Sequence, residues 1–327
     1  MHYSTQVRKE AREILQRRQS DATRACDARR AAALAKIPAL ADADRLIQSS
    51  AAAAIAALFN PGASTEDIVF ARDTNLQAQA HEQALLRTGG FAEDAMLPHY
   101  SCPDCDDSGY LRHSNDGHNG QICACHRALL RDLEHARLAR VFPLDQFTFS
   151  RFNLSFYPSN EQEFMRDVLD TCKKYAKTFS PKKGNLYFYG GAGLGKTHLS
   201  GAIINRVIER GFSVEYGSAP ALLDALVKSR FDSRSDRSLE KALQTCDLLV
   251  LDDLGAEAAN SATKEALYIL VNARLLAHKP TIVSSNFTPQ ELAAQYDTRI
   301  ASRLLYDHTT VIEFVGNDIR AQMNRRA

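Results

Sequence analysis

The sequence predicts an α/β fold built on a central parallel sheet, and three observations carry that expectation. From about residue 160 onward, short apolar runs such as Leu186-Tyr187-Phe188-Tyr189 and Leu248-Leu249-Val250-Leu251 alternate with longer helical stretches. That alternation belongs to strands buried on both faces and crossed over by helices. The first run leads directly into Gly190-Gly191-Ala192-Gly193-Leu194-Gly195-Lys196-Thr197, which fits G-x-x-x-x-G-K-[ST] in full. The second run ends in two acids, Asp252-Asp253, at the strand end where ligands of open α/β sheets bind.

With 327 residues the chain has room for about two domains, each able to bury a core. Apolar content of 45% and charged content of 24% are ordinary for globular proteins. The net charge of +1 gives no global basic field, so any nucleic-acid contact must be local. No apolar run approaches the roughly 20 residues of a membrane span, and no membrane partner is expected. The N-terminus lacks a hydrophobic signal region, while Glu10, Glu13 and Asp21 count against a transit peptide. The expected location is cytoplasmic.

Residues 4–58 read as helical, with charged residues interleaved among Ala, Leu and Ile and with Pro38 as the exception. The basic pairs Arg17-Arg18 and Arg29-Arg30 fit either a solvated face or a partner-binding helix pair. Asn60-Pro61-Gly62 breaks the pattern, and a further helix over 64–89 closes at Gly89-Gly90. Cys102-Pro-Asp-Cys105 and Cys123-Ala-Cys125-His126 follow, with seventeen residues between the two pairs. Two such knuckles can supply four thiolates to tetrahedral Zn²⁺, with Asp-Gly and Asn-Gly steps between them suited to hairpins. The expected ligands are Cys102, Cys105, Cys123 and Cys125; His126, His118 or His113 could replace the last. Disulfides are disfavoured in a reducing compartment, and a redox C-x-x-C would need a βαβ context that this segment lacks.

A charged helix over 126–139 leads to a loop-rich stretch carrying Phe142, Phe147, Phe149, Phe152, Phe156 and Tyr157. These aromatics would pack on the sheet or lie near a nucleotide base. The expected division is a helical, zinc-binding domain over 1–140, a linker over 141–158, and the α/β domain over 159–327. In the last, strands are expected at 186–189, 213–216, 248–253, 281–285 and 309–314, with helices between them, including 220–230 and 263–276.

The chemistry of the loop is phosphate binding. A triphosphate is held by inward-pointing backbone N–H groups, which glycines allow through tight turns and close approach. Lys196 would neutralise the β- and γ-phosphates, Thr197 would ligate Mg²⁺, and the helix beginning there adds its positive end. Asp252 would hold Mg²⁺ through water and Asp253 would act as general base on the attacking water; alone, the pair could equally be a cap or turn. Asn286, after the strand Thr281-Ile282-Val283-Ser284-Ser285, would orient water near the γ-phosphate, although a lone Asn there is commonly a turn former.

Taken together, GGAGLGKTHLSGAI, the G-x-S-V-x-Y step at Gly211 to Tyr216, LLVLDDLGAE, the VSSN strand end and RIASRLL resemble the ATPase domain of bacterial replicative-helicase loaders of the DnaC/DnaI type, within the AAA+ superfamily. The resemblance covers Phe152 to Arg320, and C-x-x-C-D-D-S-G-Y followed by C-x-C is similar to the zinc module of DnaI-like members. It implies an AAA+ P-loop ATPase with a central parallel sheet and minimal lid, preceded by a mostly helical zinc-binding domain. The implied cofactors are ATP, Mg²⁺ and Zn²⁺. The implied partners are a hexameric replicative helicase, single-stranded DNA and further copies of the chain. Arg303 stands where the family has its arginine finger, with Arg299 as competitor, and Arg320 resembles the sensor-2 arginine; each could instead be a surface ion-pair partner. The helix from Ala219 to Phe231, with Lys228, Arg230, Arg234 and Arg237, corresponds to the DNA-facing element of initiator-type relatives. IstB-type transposition helpers share a similar ATPase domain, and a nucleotide-gated helicase-binding adaptor would carry the same motifs.

Overall fold

The computed structural model describes residues 3–60, 64–111, 120–231, 238–257, 260–305 and 308–319. Three long helices come first: α1 (Thr5–Lys36), α2 (Leu40–Phe59) and α3 (Thr65–Thr88), followed by α4 (Ala124–Ala139). The continuous helix expected over 4–58 is interrupted between Lys36 and Leu40, because Pro38 has no N–H to donate and its ring obstructs the preceding turn. Ser64 and Asp67 form a reciprocal capping box that starts α3.

The α/β part follows as α5 (Gln162–Lys177), β1 (Leu186–Tyr189), α6 (Lys196–Glu209), β2 (Val214–Ser218), α7 (Ala219–Phe231), α8 (Ser238–Thr245), β3 (Leu248–Leu254), α9 (Ser261–Leu276), β4 (Thr281–Ser285), α10 (Pro289–Tyr296), α11 (Thr298–Leu304) and β5 (Thr310–Glu313). The short α8 has no counterpart among the elements expected from the sequence. All strand pairs are parallel, in the order β2-β3-β4-β1-β5. The last inner strand in sequence, β4, therefore separates the strand that leads to the phosphate loop from the strand that carries the acids.

By contacts the chain forms two compact units, residues 12–125 and residues 1–11 with 126–327. In the second unit the apolar side chains of the inner strands alternate between two cores. Leu186, Phe188, Leu248, Val250 and Ile282 face the cluster that includes Leu199, Ile203 and Val207 of α6 and Met165, Leu169 and Cys172 of α5. Tyr187, Leu249, Leu251 and Val283 face the cluster containing Leu223 of α7, Leu267 and Leu270 of α9 and Tyr296 of α10. Phe142, Leu144, Phe152 and Tyr157, from the segment read as a linker, are buried in the first of these cores. Burying each such side chain contributes about 1.5–3 kcal/mol. Arg274 is fully buried against the sheet's lower edge, donating to the carbonyls of Leu243, Cys246 and Pro280 and to Thr281 Oγ1.

The unit formed by residues 12–125 has a small core of Ala33, Leu40, Leu86, Ala95 and Met96. A second cluster there gathers Cys102, Cys105 and Cys123 with Cys125 and Leu111. No described helix is long and apolar enough to cross a membrane.

Candidate nucleotide and metal sites

The phosphate loop runs from the end of β1 into the first turn of α6. Gly195, at φ +93°, is the residue before α6, and the Phe152 ring and the Tyr157 hydroxyl lie 2.9 and 3.0 Å from where a Cβ would stand. Gly193, at φ +75°, is pressed by the Asp318 carboxylate, while its carbonyl accepts the Ile319 N–H at 3.1 Å. Side chains at either position would be strained and would collide, which is the physical reason for glycine here. Tyr157 Oη donates to the Leu194 carbonyl at 2.8 Å and pins the loop from outside; burial raises its phenol well above the ordinary value.

Lys196 is 5% exposed, and its ammonium donates to the carbonyls of Gly190 (2.6 Å) and Gly191 (2.7 Å) and to Asn286 Oδ1 (2.9 Å). Thr197 Oγ1 donates to the Asp252 carboxylate at 2.9 and 3.2 Å. The loop lysine, the loop threonine, the first acid of β3 and the polar residue after β4 thus meet in one place. The same residues, with Asp253, Phe152, Phe156 and Arg151, line a cavity of about 700 Å³. A hydroxyl in hydrogen-bond reach of a carboxylate is a donor set that fits a hydrated Mg²⁺, and a buried ammonium held by neutral oxygens can exchange them for phosphate oxygens.

Asp253 reaches this cavity by an irregular route. Successive strand residues point to opposite faces, so Asp252 and Asp253 on a regular β3 would diverge. Instead the β3–β4 register shifts between Leu251 and Leu254, and Asp253 takes φ +57°. Leu254 consequently packs in the same core as Leu249 and Leu251, one residue out of alternation. The bulge turns both carboxylates toward the cavity at a backbone cost of about 1–2 kcal/mol.

In the other unit, the sulfurs of Cys102, Cys105, Cys123 and Cys125 all lie within 4.8 Å of one another, with Cys102–Cys123 at 3.8 Å and Cys105–Cys125 at 3.4 Å. Zn–S bonds of about 2.3 Å place the sulfurs of a tetrahedral site about 3.8 Å apart, so the set fits Zn²⁺. Asp107, at φ +56°, accepts the N–H groups of Ser101 (2.7 Å) and Cys102 (3.1 Å) and so shapes the first knuckle. Tyr110 and Ile122 pair antiparallel behind it. Burial pushes the Cys125 thiol well above its ordinary range, and its neighbouring cysteines add to that. His113 and His118 lie outside the described residues, and His126 is not part of the sulfur group.

A profile of the family described as IstB-like ATP binding protein matches residues 124–327, more than half of the chain. The protein belongs to that family. It is 36% identical over 149 residues to the replicative helicase loader DnaI of Bacillus subtilis (44% of this chain, 45% of DnaI). It is 28% identical over 190 residues to the chromosomal replication initiator protein DnaA of Nitrosomonas eutropha (58% of this chain, 38% of DnaA). With the replicative helicase loader DnaC of Escherichia coli K12 it shares 25% over 164 residues, 50% of this chain and 67% of DnaC. The chain thus spans less than half the length of the first two relatives. Among solved structures, the DnaC helicase loader aligns with a TM-score of 0.47 at 22% identity, over 53% of this chain and 99% of that one.

In this family member Arg303 and Arg299 are engaged within the chain. Arg303 donates to Asn272 Oδ1 (2.8 Å), Tyr268 Oη (3.1 Å) and the Arg299 carbonyl (3.0 Å), and lies 4.6 Å over the Tyr268 ring. Arg299 pairs with Asp297 at 3.0 Å and borders the same ring at 5.6 Å. Arg320 lies outside the described residues, as do Arg234 and Arg237. On α7, Lys228 pairs with Asp224 and Arg230 with Glu240.

Several residues at the site were not foreseen. Tyr216 Oη donates to Asp252 Oδ2 at 3.2 Å, and Ser284 Oγ bonds the other carboxylate oxygen. His198 bonds the Thr148 carbonyl at 2.9 Å and stands edge-on to Phe147 and Phe152. Phe147 stacks on Phe142, which packs on Tyr216. The sequence signal for this aromatic strap was the density of Phe over 142–157; the partners it touches were not legible.

Proposed function

We propose that this protein is an ATP-dependent loader that binds a hexameric replicative helicase and helps place it on single-stranded DNA. The observation that carries the nucleotide part is the meeting of Lys196, Thr197, Asp252 and Asn286 in one cavity. The loader part is supported by kinship with a protein named as a replicative helicase loader.

In this reading the loop amides and Lys196 hold the β- and γ-phosphates of ATP, and Thr197 and Asp252 hold Mg²⁺. Bound Mg²⁺ supplies neutralisation of the phosphate charge. Asp253 takes a proton from the attacking water, and Asn286, already bonded to Lys196, orients that water relative to the γ-phosphate. Arg303 would leave its Tyr268 platform to reach the nucleotide of a neighbouring copy, and Arg320 would act on the nucleotide of its own chain. Lys228 and Arg230 would exchange their acidic partners for DNA phosphates, a salt-sensitive contact. Slow turnover suffices, because the nucleotide acts by changing which partner contacts are favourable. The four cysteines would hold Zn²⁺, cross-linking the 12–125 unit that grips the helicase in the cytoplasm. A transposition-helper ATPase is the second reading, since the matched family is described as IstB-like.

The test is the native mass of a mixture of this protein with the replicative helicase of the same cell, with and without ATP. A helicase hexamer carrying several copies of the chain is expected. Absence of any complex with zinc and ATP present would turn the assignment to the transposition helper. In Asp253→Asn, nucleotide binding should persist while hydrolysis and helicase release fail; release at the normal rate would point to an adaptor that works by binding alone.

A further inference from the structure

We propose that Ser284 is the positioning residue that turns two adjacent strand carboxylates into a two-role site. It stands on β4, the strand between the phosphate-loop strand and the acid-bearing strand, and is fully buried. Its hydroxyl does two things at once. It accepts the Asp253 N–H at 2.9 Å and donates to Asp252 Oδ1.

The first bond explains how the bulge persists. Where the β3–β4 register slips, Asp253 leaves the regular ladder and its N–H needs another acceptor. A left-handed Asp is strained, and such strain lasts where the surroundings over-determine it. Ser284 supplies the acceptor from the neighbouring strand. The second bond fixes the rotation of the Asp252 carboxylate, leaving Oδ2 to Thr197 and Tyr216. One oxygen atom therefore sets the backbone of the proposed base and the side chain of the proposed Mg²⁺ carrier. Removing it frees Asp253 to return to regular strand geometry, which would swing its carboxylate toward the opposite face.

The next residue provides an internal control. Ser285 is also fully buried on β4, but its hydroxyl donates to the Leu254 carbonyl (2.6 Å) and accepts from the Phe287 N–H (3.1 Å), touching neither acid. The inference rests on reading Asp252 and Asp253 as Mg²⁺ carrier and base. The full chain is used, with nucleotide affinity measured by fluorescent-analogue titration in EDTA and across a Mg²⁺ series, alongside steady-state hydrolysis.

For Ser284→Ala we expect the Mg²⁺ concentration giving half of the nucleotide-affinity gain to rise about tenfold, and kcat at saturating Mg²⁺ to fall by about tenfold or more at unchanged KM. Affinity in EDTA should stay within about twofold, since the loop and Lys196 are untouched. Ser284→Thr, which restores the hydroxyl, should recover the Mg²⁺ response, and Ser285→Ala should retain it. An unchanged Mg²⁺ response in Ser284→Ala, or equal losses in Ser284→Ala and Ser285→Ala, overturns the proposal. If Ser284→Ala folds poorly, Ser284→Cys, a weaker hydrogen-bonding isostere, should give an intermediate response; a wild-type response overturns the proposal too. A wild-type protein whose nucleotide affinity ignores Mg²⁺, matched by Asp252→Asn, overturns the underlying reading of the acids and the proposal with it.

Discussion

Replacing Gly201 by alanine tests whether the aromatic segment after α4 is seated on the helix that follows the phosphate loop. Gly201 lies mid-way along α6, where alanine would ordinarily stabilise by about 1 kcal/mol. Here an added Cβ would stand 2.6 Å from Phe147 Cβ and 2.7 Å from Phe142 Cε1. Carbon contacts settle at about 3.5–4.0 Å, so the strap must lift by about 1 Å. Asn205, one turn along α6, donates to the carbonyls of Leu144 and Phe147 at 2.8 Å each and resists that movement. Loss of those two bonds, at about 1 kcal/mol each, plus overpacking of about 1–3 kcal/mol, outweighs the helix gain. We expect a net destabilisation of about 2–4 kcal/mol, read as a Tm drop of about 4–16 °C, with nucleotide affinity lowered several-fold because Phe147 lines the cavity. Urea denaturation and nucleotide titration on the same preparation measure both. A variant stabilised by about 1 kcal/mol with normal affinity would refute the strap packing.

Purified chain should carry one Zn²⁺, and Cys102→Ser with Cys105→Ser should release it and abolish helicase binding while leaving nucleotide affinity intact; metal analysis with binding titrations decides. Arg303→Ala should depress concentration-dependent ATP hydrolysis by on the order of 10³-fold, and Tyr268→Ala, which removes the platform under that guanidinium, by about tenfold; a larger loss in Arg299→Ala would reassign the finger. Burial holds the His198 imidazole below its ordinary value. The unfolded chain therefore takes up that proton first as pH falls, and stability declines as pH drops through about 6.5. His198→Gln should flatten the stability profile between about pH 7.5 and 5.5, and a slope identical to wild type would show that another group titrates there.

Much of the site was legible because its requirements are local. The loop glycines need special backbone angles or close approach, the lysine and threonine follow at fixed offsets, and the cysteines come in two short knuckles; each of these is written in consecutive residues. The apolar strand runs were legible for a similar reason, since burial on both faces erases alternation from the sequence while the structure sorts successive residues into two cores. The break at Pro38 had a visible cause, though its effect on α1 and α2 was understated. The short α8 gave too little pattern to separate it from the connection before β3.

Composition, motif spacing and the order of strands and helices along the chain determined by themselves that this protein has a parallel sheet, a phosphate loop, a pair of acids at a strand end and a four-cysteine cluster. The order of strands across the sheet was decided by tertiary structure, and with it the placement of β4 between β1 and β3. From that placement come the Lys196–Asn286 and Ser284–Asp252 bonds, joining residues far apart in sequence. So does the bulge at Asp253, where aspartate tolerates the left-handed conformation but the acceptor that holds it comes from the neighbouring strand. Side chains record what their own backbone needs, whereas which strand lies alongside, and which hydroxyl it brings, depends on how the whole core closes.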